Sequence, residues 1–232
     1  MTSGAELAGK RHVADGGLVQ RRRGQIVAAA VELFSEQGFY RTTIQDVARK
    51  AGVSIGLIYQ YVRDKDDILL LALLSVLDTY KHQIPEALVG LSDALERCWA
   101  AVEGYCRVID SCRRETVLAY RSTKSLPKEW RTFIERAEID TNEIIAACLR
   151  DCVRDGLFRD INIDLVAYYF VTFAHAWALK HWLMRKLCSL DQYIDQGIDF
   201  HFSALLTAKG QRQYKRMQAG RARKDAGATR IA

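Results

Sequence analysis

Residues 43–69 read TIQDVARKAGVSIGLIYQYVRDKDDIL, and the caps, turn and apolar spacing in this stretch decide the architecture around it. Thr42 and Thr43 offer side-chain oxygens to the free N–H groups of a helix start. Asp46 stands three residues after Thr43 in capping-box spacing, and Ile44, Val47, Ala48 and Ala51 form one apolar face. Gly52 suits a left-handed helix end, Val53 can fill the corner, and Ser54 can cap a third helix over 55–61. Two short helices joined by a tight glycine turn make a helix-turn-helix. The second helix of that motif lays its N-terminal side chains against base edges in the major groove.

Upstream, Ile26, Ala30, Leu33 and Phe34 recur at i, i+4, i+7 and i+8, predicting a first helix from Gln25 to a stop near Gly38. Ile44, Val47, Ala48, Val53, Ile58 and Ile68 point inward as core. Downstream, Asp64 can cap a fourth helix with Asp66 and Asp67 in its first turn. Residues 68–77 are apolar almost all round, so this helix is buried between two layers, and it should break by Pro85. Further helices are predicted near 89–110, 111–123, 128–155, 164–187 and 192–209, and Gly156 fits a helix stop. The fold class is all-α, with an N-terminal three-helix helix-turn-helix unit and a larger helical domain, to which a family resemblance of the 43–69 stretch assigns DNA binding and ligand binding with dimerisation respectively. The predicted boundaries are a disordered arm over 1–20, the helix-turn-helix domain over 21–67, the larger domain over 68–208 and a basic disordered tail over 209–232.

Composition agrees with this class. The 232 residues include 2 prolines and 15 glycines, and 49% are hydrophobic, which argues against a β-sandwich, a collagenous chain or a disordered one. The apolar run from Leu165 to Leu179 falls short of the roughly 18 residues a membrane span needs, so no membrane partner is expected. Residues 1–24 show no apolar core of a secretory signal, which predicts a cytoplasmic location. Six cysteines without a C-x-x-C pair read as small buried residues, although Cys148 and Cys152 share a helix face. His175 and His181 are six apart and cannot share one face, so neither a metal site nor a catalytic dyad follows. They read as core or interface histidines. No metal or cofactor is expected.

The net charge of +6 is unevenly spread: +3 over 1–25, −1 over 26–75, −3 over 76–208 and +7 over 209–232. Arg21, Arg22 and Arg23 stand beside the predicted DNA-binding unit and suit phosphate contacts. The C-terminal stretch reads either as a solubilising end or as a second phosphate-binding arm.

The 43–69 stretch, with Phe34, Gly38 and Phe39/Tyr40 closing helix one, resembles the DNA-binding domain of the TetR family of transcriptional regulators. The resemblance implies phosphate contacts from Thr42, Thr43, Tyr59, Tyr61 and Lys65. It places Ser54, Ile55, Gly56, Leu57 and Gln60 on the recognition-helix side, with Arg22 and Arg23 alongside. The Gln60 amide has the donor and acceptor that adenine requires. Leu57 stands where Thr is common, so either a phosphate contact is missing or Leu57 packs on a thymine methyl. Val62 stands where Phe is common. The resemblance also implies a homodimer joined by the last two helices, 164–187 and 192–209, acting on a pseudo-palindromic double-stranded operator.

The second half is similar in short patches to TetR-type regulators of acyl-CoA metabolism: 121–127, 156–159 and 177–182. That similarity implies a small hydrophobic effector, a CoA thioester of a fatty, aromatic or steroid-derived acid. A cavity walled by Trp99, Tyr105, Tyr120, Trp130, Phe133, Phe173 and Trp177 could hold the acyl group, and Arg121, with Arg113, Arg114 or Lys124, could meet phosphates. The expected function is a ligand-responsive repressor. The competing class, a small all-helical enzyme, finds no G-x-S-x-G, G-x-G-x-x-G, Walker or H-E-x-x-H motif to support it.

Overall fold

The computed structural model describes residues 16–228, with side chains described for 19–221, and contains eleven α-helices and no strand among them. The chain divides into two compact units, one ending at Ala72 and the other beginning at Leu73.

In the first unit, α1 (Gly16–Gln37) buries Ile26, Ala30, Val31 and Phe34. It starts before the Gln25 and 21 boundaries read from periodicity, because residues 16–25 are polar and leave no apolar stripe to detect. The rest of the predicted arm, 1–15, lies outside the described residues. Gly38 ends α1 at φ 89°, its N–H donating to the Phe34 carbonyl (3.1 Å).

Helix α2 (Ile44–Ala51) has the predicted capping box: the Asp46 amide donates to Thr43 Oγ1 (3.1 Å) and the Thr43 amide to Asp46 Oδ2 (3.1 Å). Gly52, at φ 65°, closes it by donating to the Ala48 and Arg49 carbonyls, and Val53 also donates to Ala48 (3.0 Å). Ser54 caps α3 (Ile55–Ile58) through the Leu57 amide (3.1 Å). α3 is shorter than the predicted 55–61. Beyond Ile58 the amides of Gln60 and Tyr61 bond three residues back, which tightens the chain into a turn and seats Val62 in the core beside Ile58.

Helix α4 (Lys65–Ala87) is capped by Asp64, whose carboxylate accepts from the Asp67 amide (2.9 Å). It runs two residues past Pro85, correcting the predicted break. Within the last turn proline removes only one ladder bond, and Leu88 closes the helix by donating to the Pro85 carbonyl (3.1 Å).

The second unit is built around α5 (Ala94–Ser111), capped by Asp93 and packed against both α7 (Lys128–Arg154) and α8 (Ile163–Leu179). Between them α6 (Arg113–Ser122) continues into a 3-10 turn over Thr123–Ser125. Cys98, Cys106, Cys148 and Cys152 are buried, as small core residues.

The helix predicted over 164–187 is two. Lys180, at φ −117° and ψ 22°, separates α8 from α9 (His181–Leu187). No glycine or proline marks that break, so local sequence cannot reveal it. Next, α10 (Leu190–Leu205) carries a capping box of Ser189 and Gln192 that periodicity overlooked. It stops at Leu206 rather than near 209, because Leu206 bridges to Phe158 while the Thr207 amide donates to the Leu157 carbonyl (2.9 Å).

The tail predicted to be disordered is helical in its described part: α11 (Ala208–Ala228) buries Tyr214 against Trp99 and Phe202. Gly210 lies so close to the Leu157 carbonyl that a Cβ would overlap it. One aromatic side chain and one close-packed glycine anchor a segment whose average composition is basic. Residues 229–232 lie outside the described part.

Candidate nucleic-acid interface and effector cavity

In the first unit, the side chains that the resemblance assigned to DNA fall into two groups. Thr43, Ser54, Ile55, Gly56, Tyr59 and Gln60 are exposed around α2, α3 and the turn that follows, while Leu57 and Tyr61 are half-buried. They form a continuous surface because Gly52 turns α3 sharply away from α2 and both helices bury only their inner faces, through Val47, Ala48 and Ile58.

Thr42 and Lys65 are committed to the fold. Thr42 is buried and donates its hydroxyl to the Gly38 carbonyl (2.9 Å). Lys65 donates its ammonium to the Phe39 and Tyr40 carbonyls (3.1 Å each) and lies 4.7 Å from the Phe39 ring centroid. It therefore pins the loop after α1, with two of its three donor protons spent on the fold. Arg22 is half-buried and donates to Gln25 (3.0 Å), and Arg23 is also half-buried.

Tyr40, 78% exposed, stands beside this surface and was passed over as a contact residue, since nothing in its spacing sets it apart. Hydrogen bonds from the Thr43 hydroxyl and amide hold the Asp46 carboxyl below its ordinary pKa, with Arg49 adding to the effect. The cap is thus charged and formed at neutral pH.

The second unit encloses a cavity of about 250 Å³ between α4, α5, α6, α7 and α8. Leu73, Val76, Leu77 and Tyr80 supply one wall, and Ile134 another. Tyr105, Tyr120, Thr116, Glu138 and His175 supply the polar groups.

Of the predicted effector residues, Tyr105 and Tyr120 line this cavity and the others do not. Trp99 packs with Phe202 and Tyr214, Phe173 stacks on Tyr193 (4.6 Å, 9°), and Trp177 donates Nε1 to Asp110 (2.7 Å). Phe133 and Arg121 are exposed, and Trp130 is half-buried outside the lining. Arg113 is paired with Asp110. Helical spacing placed Trp99, Tyr105 and Trp177 inward correctly and Phe133 wrongly, and which of several interior spaces each buried ring faces depends on how the helices cross.

His175 is the residue that spacing missed. It is the one basic side chain within the uncharged run of α8, and that isolation was the available signal. The Tyr120 hydroxyl meets its Nδ1 at 2.8 Å and the Tyr105 hydroxyl meets its Nε2 at 3.5 Å. Burial lowers its pKa to about 4, so the imidazole is neutral at physiological pH. Burial likewise raises the Glu138 carboxyl, with Glu135 adding to it, and raises the Tyr105 and Tyr120 hydroxyls.

A depressed histidine pKa stabilises the fold only above the unfolded value. Stability should therefore fall as pH drops from the unfolded pKa of about 6.5 towards about 4, by on the order of 3 kcal/mol in full, and then level off. Urea unfolding at pH 7.5 and 4.5 of the wild type and of His175→Gln measures this; the substitution should remove most of the histidine's share of the slope.

No helix among the described residues is long and apolar enough to cross a membrane, and no cluster there could hold a metal ion. Comparisons with known proteins agree with this architecture. Residues 26–72 match the model for bacterial regulatory proteins of the tetR family, and residues 91–182 match the tetracyclin repressor-like C-terminal domain. The chain is 51% identical over 201 residues to the HTH-type transcriptional regulator HbdR of Aromatoleum sp. (strain CIB), covering 87% of this chain and 88% of that one. The solved structure of the ketosteroid transcriptional regulator KstR2 of Mycobacterium tuberculosis superposes with a TM-score of 0.67 at 20% identity, over 80% of this chain and 95% of that one. AibR, solved in complex with isovaleryl coenzyme A and operator DNA, gives 0.68 at 17% identity, over 78% and 98%.

Proposed function

The chain belongs to the tetR family of bacterial regulatory proteins and is a transcriptional regulator, and from that we propose that it is a homodimeric repressor released from its operator by a small hydrophobic acyl-CoA effector. The observation that carries this reading is the coexistence of a capped helix-turn-helix with an exposed outer face and a separate, mostly apolar cavity in the second unit.

Thr43, Tyr59 and Tyr61 would fix the register on phosphates, with Arg22, Arg23, Thr42 and Lys65 supporting them. Ser54, Ile55, Gly56, Leu57 and Gln60 would face base edges. The proposed domain organisation is a DNA-binding domain over 21–67 and a ligand-binding and dimerisation domain from 68 onward. The dimer would use the outer faces of α8 to α10, where Leu165, Tyr169, Trp182, Leu187 and Phe200 are exposed apolar side chains on one subunit.

At about 250 Å³ the cavity lies below the roughly 300–1,000 Å³ that encloses a drug-sized ligand. It suits an acyl group, leaving the nucleotide outside to be met by basic side chains such as Arg121. The thioester of isovalerate in AibR supports this class. α4 contributes Ile68 and Leu69 to the core of the first unit and Leu77 and Tyr80 to the cavity. Release requires that the effector prefer the state in which the two recognition helices no longer sit about 34–36 Å apart.

DNase footprinting of the region upstream of its own gene tests this reading. The expected result is a protected pseudo-palindrome, lost on addition of an acyl-CoA, from a protein that sediments as a dimer. Protection without sequence preference, or a monomer on DNA, overturns it.

A further inference from the structure

Most of the positive charge around the helix-turn-helix is already spent within the fold. On α2, Arg49 is paired with Asp46, and Lys50 with Glu32 of α1 (2.6 Å). Arg63, in the turn after α3, is paired with Asp67 (3.0 Å), and Lys65 gives two of its protons to the Phe39 and Tyr40 carbonyls. A cation that a carboxylate already balances presents little net charge to a phosphate, so it releases few counterions when DNA arrives.

Arg41 differs from all of these. It is exposed and makes no hydrogen bond or ion pair among the described residues. Its backbone is nevertheless held on both sides: the Tyr40 carbonyl accepts from Lys65, and Thr42 is buried with its hydroxyl on the Gly38 carbonyl (2.9 Å). The Lys65 contact also ties this corner to the start of α4, just past the turn that carries Tyr59 and Gln60, and Thr43, the exposed cap of α2, follows two residues on. Arg41 therefore stands at the edge of the surface formed by α2, α3 and that turn. The arginines of α1 cannot take its place, since Arg23 lies roughly 20 Å of helix before Gln37.

We propose that Arg41 is a DNA-contact residue whose guanidinium binds a backbone phosphate at this edge, while Arg49, Lys50 and Arg63 stay paired within the fold. This rests on the helix-turn-helix surface being the DNA site, and not on the effector or on repression. The planar guanidinium presents two parallel N–H donors to a phosphate, and a fixed backbone on either side lowers the ordering cost of the contact. Because a phosphate carries no base identity, the contact adds affinity without sequence preference.

The test measures Kd of the full-length protein by fluorescence anisotropy between about 50 and 200 mM salt. One labelled duplex is the upstream sequence protected in footprinting, and the other is its scrambled counterpart. Arg41→Gln should flatten the slope of log affinity against log salt by about 0.9 per subunit, or about 1.8 for a dimer, on both duplexes. The preference between duplexes should stay within about 2-fold of wild type and the melting temperature close to it, since the side chain has no partner in the fold. Arg41→Lys, which keeps the charge and loses the fork, should retain the slope with weaker binding. Two controls should keep the wild-type slope: the double variant Glu32→Gln/Lys50→Gln, which removes a balanced pair, and Lys128→Gln, which removes one exposed cation from the second unit.

An unchanged slope in Arg41→Gln, or a flattening of the same size in either control or in Arg41→Lys, overturns the inference and leaves the DNA-binding reading standing. A loss confined to the upstream duplex would make Arg41 a base reader and overturn it equally. Failure of the wild type to bind either duplex overturns both.

Discussion

Trp99→Ala is expected to destabilise the larger unit by about 3–5 kcal/mol, a large share of the roughly 5–15 kcal/mol that a folded domain has in total. Trp99 is 3% exposed. Its ring meets Phe202 edge to face at 6.0 Å and tilts against Tyr214 at 6.0 Å, and the Arg221 guanidinium lies over it at 4.5 Å. The substitution therefore opens a cavity where α5, α10 and α11 meet and also removes a cation–π contact. Its indole N–H is buried with no acceptor among the described residues, so Trp99→Phe, which deletes that donor and keeps an aromatic ring, should cost distinctly less. Urea unfolding followed by circular dichroism measures both. A loss under about 1 kcal/mol for Trp99→Ala would mean that α11 does not pack on this ring and that the basic segment behaves as the disordered tail its composition suggests.

Tyr59→Ala combined with Gln60→Ala should sharply lower operator preference through the lost Gln60 base contact and weaken general duplex affinity modestly through the lost Tyr59 phosphate contact. Both side chains are exposed beyond α3, so their removal costs the fold little. A good bidentate base contact contributes about 1–3 kcal/mol of discrimination, or roughly 5- to 150-fold in Kd. No Lys or Arg is changed, so the salt dependence of binding should keep its slope. Gel shifts with the operator and with a scrambled duplex, at two salt concentrations, separate these effects. Undiminished preference in the double variant would move base recognition to another part of the surface.

The N-terminal unit was legible because its signals are local. A cap must lie within three residues of the amide it satisfies, and a left-handed turn needs glycine where φ is positive, so Thr43, Asp46, Gly52 and Ser54 could be located by counting. The same counting stopped at α1, whose polar first turns carry no stripe, and at Thr42 and Lys65. Their polar groups are consumed by the Gly38, Phe39 and Tyr40 carbonyls, brought near by the corner between α1 and α2. In the larger unit, periodicity found α7 and the apolar character of α8 but not the break at Lys180, where neither glycine nor proline stands.

The amino-acid order alone established an all-helical chain with a capped helix-turn-helix, since those properties depend on residues within one or two turns of each other. Packing alone decided which side chains share the cavity. Tyr80, Tyr105, Tyr120, Glu138 and His175 come from α4, α5, α6, α7 and α8 and meet only because those helices cross around α5. The same distance along the chain hid the anchoring of α11, where Tyr214 finds Trp99 more than a hundred residues away. Charge averaged over a window reports hydration of a segment, whereas its order is set by the few side chains that find a buried partner.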